Sequence, residues 1–340
     1  MALKYRWPEV LRMFKHQVIA ISLAICALIA TPVLADGTQF SGQATGVNAT
    51  VLGLAPILIS DTGPLPPEGG QFEKSLLSEN VPGVLTAEVF HSSTVGQGNR
   101  SRSEASVANL DLTVGGNTIG ADFLMARATA VCNSNGSSSV SGGSEIAALM
   151  INGQTIVISG QPNQTIDNLP LGTQVIINEQ KGNSGDITVN ALHVIVPGVA
   201  DVIVASAHAD VQCKEKPICD SATDFVTGGG WILNNGSKAN FAVAGGIKNG
   251  FWGHLQYNDH GNGLKVKGTG VTAYGIVDAT TRHIEGTCEI NGASGSYKVD
   301  VSDITEPGKD ADSFSITLSN GYFAGKKLDG GNIQLHQPCR

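Results

Sequence analysis

From residue 38 onward the chain alternates apolar and polar side chains with a period of two. No segment there sustains the i, i+3, i+4 spacing of an amphipathic helix over three turns. Period two sends successive side chains to opposite faces of a strand. Such a chain must bury its apolar faces by stacking sheets or by closing a sheet on itself. Strand-like runs cover 39–60, 84–92, 103–114, 117–132, 144–151, 154–159, 173–179, 186–196 and 201–212, separated by Gly, Pro, Asn and Asp. Residues 61–70 (DTGPLPPEGG) read as a loop, and 71–80 as one short helix. Composition agrees with short strands and tight turns: the chain has 43 glycines and only 15% charged residues, against ~25% in ordinary soluble domains. The expectation is an all-β fold of two β-sandwich-like domains after an N-terminal signal helix.

Two runs carry a further constraint. Ala126, Ala128 and Ala130 share a strand face with Cys132, and Ala205, Ala207 and Ala209 share one with Cys213. Small side chains let two such strands approach, which predicts a Cys132–Cys213 bridge. The charged stretch 214–224 (KEKPICDSATD) breaks the pattern and reads as a linker. Beyond it aromatics and glycines rise, and a second domain is expected over 225–340, following a first over 36–213. Cys288 and Cys339 are the only cysteines of that second domain and are expected to pair. Cys219 is then left in the linker, with Cys213–Cys219 as the competing connectivity.

Disulfides suit an oxidising compartment, and the N-terminus points the same way. Lys4, Arg6, Arg12 and Lys15 precede an apolar run, Val18–Ala30, and then TPVLA with small residues at Val33 and Ala35. That is the order of a secretory signal cleaved after Ala35, with Met13 as an alternative start. The run is shorter than the ~20 residues of a membrane span, and the chain ends in LHQPCR with no apolar tail. The whole chain has 21 basic and 29 acidic residues, a net charge of −8. Four of those bases and one acid lie in the first 35 residues, so the remainder carries −11. An acidic chain without basic runs excludes the electrostatic footprint of nucleic-acid binding and of anionic membrane surfaces.

Residues 38–213 resemble the choice-of-anchor P domain family of bacterial surface and secreted proteins, through 41–53 (SGQATGVNATVLG), 106–132 and 189–213 (VNALHVIVPGVADVIVASAHADVQC). Residues 225–340 are similar to the β domain that commonly follows it, through TGGGWI, 253–274, 286–314 and 321–336. The resemblance implies an extracytoplasmic β module, held to the cell by different anchors in different members, with no catalytic set to carry over. Lacking a visible C-terminal anchor, this chain is expected to be released or periplasmic.

Candidate sites are few. Asp303, Glu306, Asp310 and Asp312, with Asp300 just before them, could offer oxygens to Ca2+ around the Pro307–Gly308 turn, though not in EF-hand spacing; the competing role is a solvated acidic turn. Trp231, Trp252 and Tyr257 are candidates for an aromatic sugar platform, or else for the second domain's core. His254, Asp259, His260, His283 and His336 match no zinc signature, and GTGVTA (268–273) lies among strands rather than in a βαβ unit. No catalytic motif or cofactor is recognised beyond the candidate Ca2+. The expected function is a non-enzymatic secreted structural or adhesive protein, its partner a cell-surface glycan or protein. The alternatives are a carbohydrate- or calcium-binding protein using the C-terminal domain, and an extracellular hydrolase.

Overall fold

The computed structural model describes residues 38–133, 135–213 and 224–337. The signal segment, Cys219 and Cys339, and with them the Cys288–Cys339 pairing, lie outside the described residues. Ala35–Arg340 forms one compact unit, and no helix among the described residues is long and apolar enough to cross a membrane.

The chain enters as β1 (Gln39–Val51) and turns back as β2 (Ile57–Asp61). It then builds a second sheet from β3 (Gly70–Val81), β4 (Leu85–Gln97), β5 (Arg100–Val114), β6 (Asn117–Cys132), β7 (Ser138–Ala147), β8 (Met150–Ile151) and β9 (Gln154–Thr155). It returns to the first sheet with β10 (Gln164–Ile166), β11 (Gln174–Gly182), β12 (Asp186–Val196) and β13 (Ala200–Gln212). The last strand, β13, pairs antiparallel along the whole of the first, β1. The first sheet runs β10-β11-β12-β13-β1-β2, and the second runs β3-β4-β5-β6-β8-β9 with β7 also on β6.

The expected helix over 71–80 is instead the edge strand β3, in continuous register with β4 from Gly70↔Gly96 to Val81↔Leu85. Two adjacent leucines, Leu76 and Leu77, suggest a helical stripe, but pairing with β4 overrides that local preference.

The two sheets face each other across a core of small side chains. Ala126, Ala128 and Ala130 of β6 and Ala205, Ala207 and Ala209 of β13 are all buried in it. Ala205 sits at a positive φ of 53°, a local irregularity at which the buried positions of β13 shift from 202 and 204 to 205, 207 and 209. The expected Cys132–Cys213 disulfide forms at the end of this layer, with a Cα–Cα distance of 5.4 Å.

The rest of the chain is one antiparallel meander: β14 (Phe225–Asn234), β15 (Ser237–Ile247), β16 (Phe251–Asp259), β17 (Leu264–Ile276), β18 (Thr281–Ile290), β19 (Ala293–Ser302), β20 (Ser313–Leu318), β21 (Phe323–Lys327) and β22 (Gly330–His336). β21 lies at one edge of this sheet and β22 at the other, beside β14. Only Leu328 and Asp329 join them. The two edges must therefore meet, and the sheet curls round its own core, where Phe241 stacks on Phe314 at 4.1 Å.

The middle sheet, β3 to β9, is covered on both faces. Phe90, Ala105, Val107 and Leu124 point into the sandwich. The alternate positions Val89, Ala108, Phe123 and Met125 form a third core with Trp231 and Ala242 of the barrel. This seam explains Gly229 of β14, while Gly228 and Gly230 are crowded by β22 of their own sheet. A Cβ on Gly229 would lie 2.7 Å from Ser106 Oγ and 3.3 Å from His91 Cβ. The Trp231 ring covers Gly330, where a Cβ would fall 1.7 Å from the ring edge.

Two outcomes follow from this packing. Replacing Cys132 and Cys213 by Ser should lower the unfolding free energy by ~4 kcal/mol in the chain-entropy account, and reductant should destabilise wild type but not the variant in urea melts. Gly229→Val should cost ~1–3 kcal/mol by overpacking, whereas Gly236→Ala, with nothing within 4 Å, should cost less than half as much despite its positive φ.

Candidate functional site

The four carboxylates proposed for Ca2+ do not converge. Asp312 is fully buried; its Oδ1 accepts from the Ile304 and Thr305 amides (2.8 and 3.3 Å) and its Oδ2 from the Ile333 amide (2.9 Å). Asp303 accepts from the Leu335 amide. Glu306 and Asp310 are exposed. Among the described residues no group of three or more His, Cys, Asp or Glu side chains is placed to hold a metal ion. Asp312 instead ties the 303–312 loop to β22.

The three aromatic residues do not share a surface either. Trp231 is in the seam, 4.7 Å from the Phe123 ring. Tyr257 is fully buried in the barrel core and meets the Tyr322 hydroxyl at 2.7 Å. Trp252 packs on Phe225. Cys288 is a buried thiol.

Polar chemistry is concentrated in the seam. Glu73 and Ser75 project from the same face of β3, and His254 reaches them from β16. Its Nε2 lies 2.5 Å from Ser75 Oγ, and its Nδ1 contacts the Glu73 carboxylate. A hydroxyl, an imidazole and a carboxylate in this order are the elements of an activated nucleophile. Burial pushes Glu73 up, yet His254, and behind it His91, bring it below its ordinary value. His91, fully buried beside His254, is held down at about 3 by burial and by the His254 charge, so it is neutral at neutral pH.

The seam continues in the same manner. Glu88 Oε2 accepts from Asn109 (3.1 Å) on its own sheet and from Asn258 (2.9 Å) on the barrel. Lys238 donates to Asp122 at 2.5 Å, and Asn332 donates to Glu104 at 3.2 Å. Glu104 is 1% exposed; burial lifts its carboxyl to about 8 even though Arg127 opposes the rise, so it is largely protonated at neutral pH.

At one end the seam opens into two adjoining clefts, of ≈330 and ≈310 Å3, which share Arg102 and Glu306. Strand geometry places their cations: Arg100 and Arg102 are two apart on β5, and Arg127 lies on β6 opposite Glu104. All three guanidinium groups are half-buried. Among the described residues no carboxylate stands within ion-pair distance of any of them. Arg100 Nε donates to Asn99 at 3.4 Å, and Arg127 reaches only the Met125 sulfur, at 4.0 Å. Arg100 is lowered to about 10, first by burial and then by Arg102.

Neither arrangement is visible in sequence. Ser75 and Glu73 lie in a segment read as helical, Arg100 and Arg102 alternate with serines at the start of β5, and Arg127 is a lone charge among alanines of β6. The one available signal is a charged residue at alternate positions of a strand whose other face is also buried.

Compared with known proteins, the chain matches no family model, no curated protein and no solved structure.

Glu104 gives a pH signature. Its carboxyl is raised in the folded state from 4.5 to about 8, so its contribution to stability is full below pH ~4.5 and lost as pH rises through 8. Glu104→Gln should remove that loss. The wild-type minus variant unfolding free energy, measured in urea at each pH, should fall on the order of a few kcal/mol between pH 5 and 8. His91 acts with the opposite sign, its contribution being lost as pH falls below 6.5, and it cancels in the difference.

Proposed function

We propose that this chain is an exported, non-enzymatic β protein with a structural or adhesive role, of the kind the choice-of-anchor P resemblance implies. One observation carries this: the side chains with catalytic potential are used as a joint. Ser75, His254 and Glu73 span the seam between middle sheet and barrel, and Glu88, Asp122 and Glu104 repeat the arrangement along its length. Ser75 is half-buried on the edge strand β3 and its hydroxyl is engaged by His254 across the seam, so it serves the packing of the two layers there. Export is supported by the Cys132–Cys213 bridge, a bond that persists in oxidising compartments, and by the charge, apolar and small-residue order of residues 1–35.

Expression of the full chain with cell fractionation tests this role. The protein should appear outside the cytoplasm with Cys132 and Cys213 protected from alkylation, and it should sediment with purified envelope polysaccharide. Cytoplasmic retention with both thiols alkylated would overturn the export reading, and failure to sediment the adhesive one.

A second reading, an extracellular hydrolase, is favoured by the Ser75–His254–Glu73 arrangement alone. A serine-directed fluorophosphonate should leave Ser75 unlabelled. Labelling at Ser75, together with ester turnover abolished by Ser75→Ala in a folded variant, would replace the structural reading.

A further inference from the structure

We infer that the arginine clefts at the end of the seam bind the carboxylate of an acidic saccharide, a uronate-type sugar whose hydroxyls are read by the neighbouring polar side chains. The inference rests on the adhesive reading and names the ligand of that surface.

The contrast with Arg282 is instructive. That guanidinium is 1% exposed, and its donors are taken by Asp224 (2.5 and 3.0 Å) and by the carbonyl oxygens of Asp278 and Thr281 (2.8 Å each). Arg102 and Arg127 have no such clamp, although a half-buried guanidinium normally has carboxylate or carbonyl partners. Their planar forks face a cleft whose volume lies in the range of small-molecule sites.

The other walls narrow the chemistry. Thr129, Ser141 and Gln334 line the same cleft as Arg102 and Arg127 and offer hydroxyl and amide groups. Gly142 and Gly143 of β7 present bare backbone beside them. Two carboxylates also belong to the walls: Glu306, exposed, and Asp303, whose Oδ2 is occupied by the Leu335 amide. Among the described residues the walls bring three arginines and two carboxylates, so neither sign is in large excess. His336, held well below its usual value by burial and then by Arg102 and Arg100, adds no charge at neutral pH. A densely charged polyanion would meet Glu306 and Asp303 as well as the chain's overall negative charge. A ligand with one carboxylate and several hydroxyls per unit uses both signs: the guanidinium groups take the carboxylate, and Glu306 accepts from a hydroxyl. The walls come from the middle sheet (β4 to β7) and from β22 with the 303–307 loop, so neither half of the chain forms the site by itself.

The test is calorimetric titration of the mature protein, in 150 mM salt, with oligogalacturonate, a neutral glucan oligomer and sulfated dextran. Oligogalacturonate should bind, the neutral oligomer should not, and sulfated dextran should bind at least tenfold more weakly. Arg102→Gln and Arg127→Gln should each weaken oligogalacturonate binding at least tenfold. Arg102→Lys, which keeps the charge and loses the fork, should weaken it too, and Lys181→Gln on the first sheet should leave it unchanged. Melting curves establish that each variant is folded, and if one glutamine variant does not fold, the other and the lysine variant decide. No oligogalacturonate binding, equal binding by the folded arginine variants, or preference for sulfated dextran would each overturn the inference. If the wild type still sediments with envelope polysaccharide in that event, the adhesive reading stands with a different site.

Discussion

A β-sheet buried on both faces must accommodate the polar groups of either face, and the middle sheet of this protein keeps its ionisable ones on one face. Towards the sandwich it presents alanines, valines and phenylalanine together with hydroxyls, Ser92, Thr94, Ser101 and Ser103, which bond to the first sheet and to one another. Towards the barrel it presents Glu73, Ser75, His91, Glu104 and Arg127 around a small apolar patch. Glu73 and Ser75 meet His254 and Glu104 meets Asn332, whereas neither ring nitrogen of His91 has a hydrogen-bond partner; a buried polar group left unpaired costs about 1–3 kcal/mol. The barrel strands that cover the face therefore combine two properties. Gly229 lets the β14 backbone close on the Ser106 and His91 side chains, and side chains such as His254, Asn258 and Asn332 reach across to individual acids. The Trp231–Phe123 contact supplies the apolar anchor at the centre.

This division of labour explains why pKa shifts gather where they do. Glu104 and His91 both lie in the seam, both are fully enclosed, and burial moves each towards its neutral form. Two uncharged titratable groups in one joint give it a preferred pH range, set from the acid side by the imidazole and from the basic side by the carboxyl.

Much of the fold is legible in the sequence because its determinants are local. Alternation marks the long strands, and the two alanine faces that end in Cys132 and Cys213 mark which strands stack. The segment 71–80 is not legible, because Leu76 and Leu77 side by side blur the alternation and only pairing with β4 resolves it. The polar joint is harder still. Asn332 and Glu104 are 228 residues apart, and nothing near either one announces the other. The acidic stretch 303–312 looks like a cation loop because its spacing is visible, while the backbone amides that occupy Asp312 are not.

The pairing of β1 with β13 has a consequence for how the chain is made. Synthesis runs from the N-terminus, and β1 is among the first strands completed, whereas β13 begins at Ala200. Roughly 150 residues separate the two, which at ~5–20 residues per second amounts to about ten to thirty seconds of waiting. Over that interval β2 pairs only with the opposite edge of β1, from Thr45 to Ala49, and the edge that β13 will take is an open template for any passing strand. The nascent chain therefore has its greatest need of a chaperone early, well before the barrel exists.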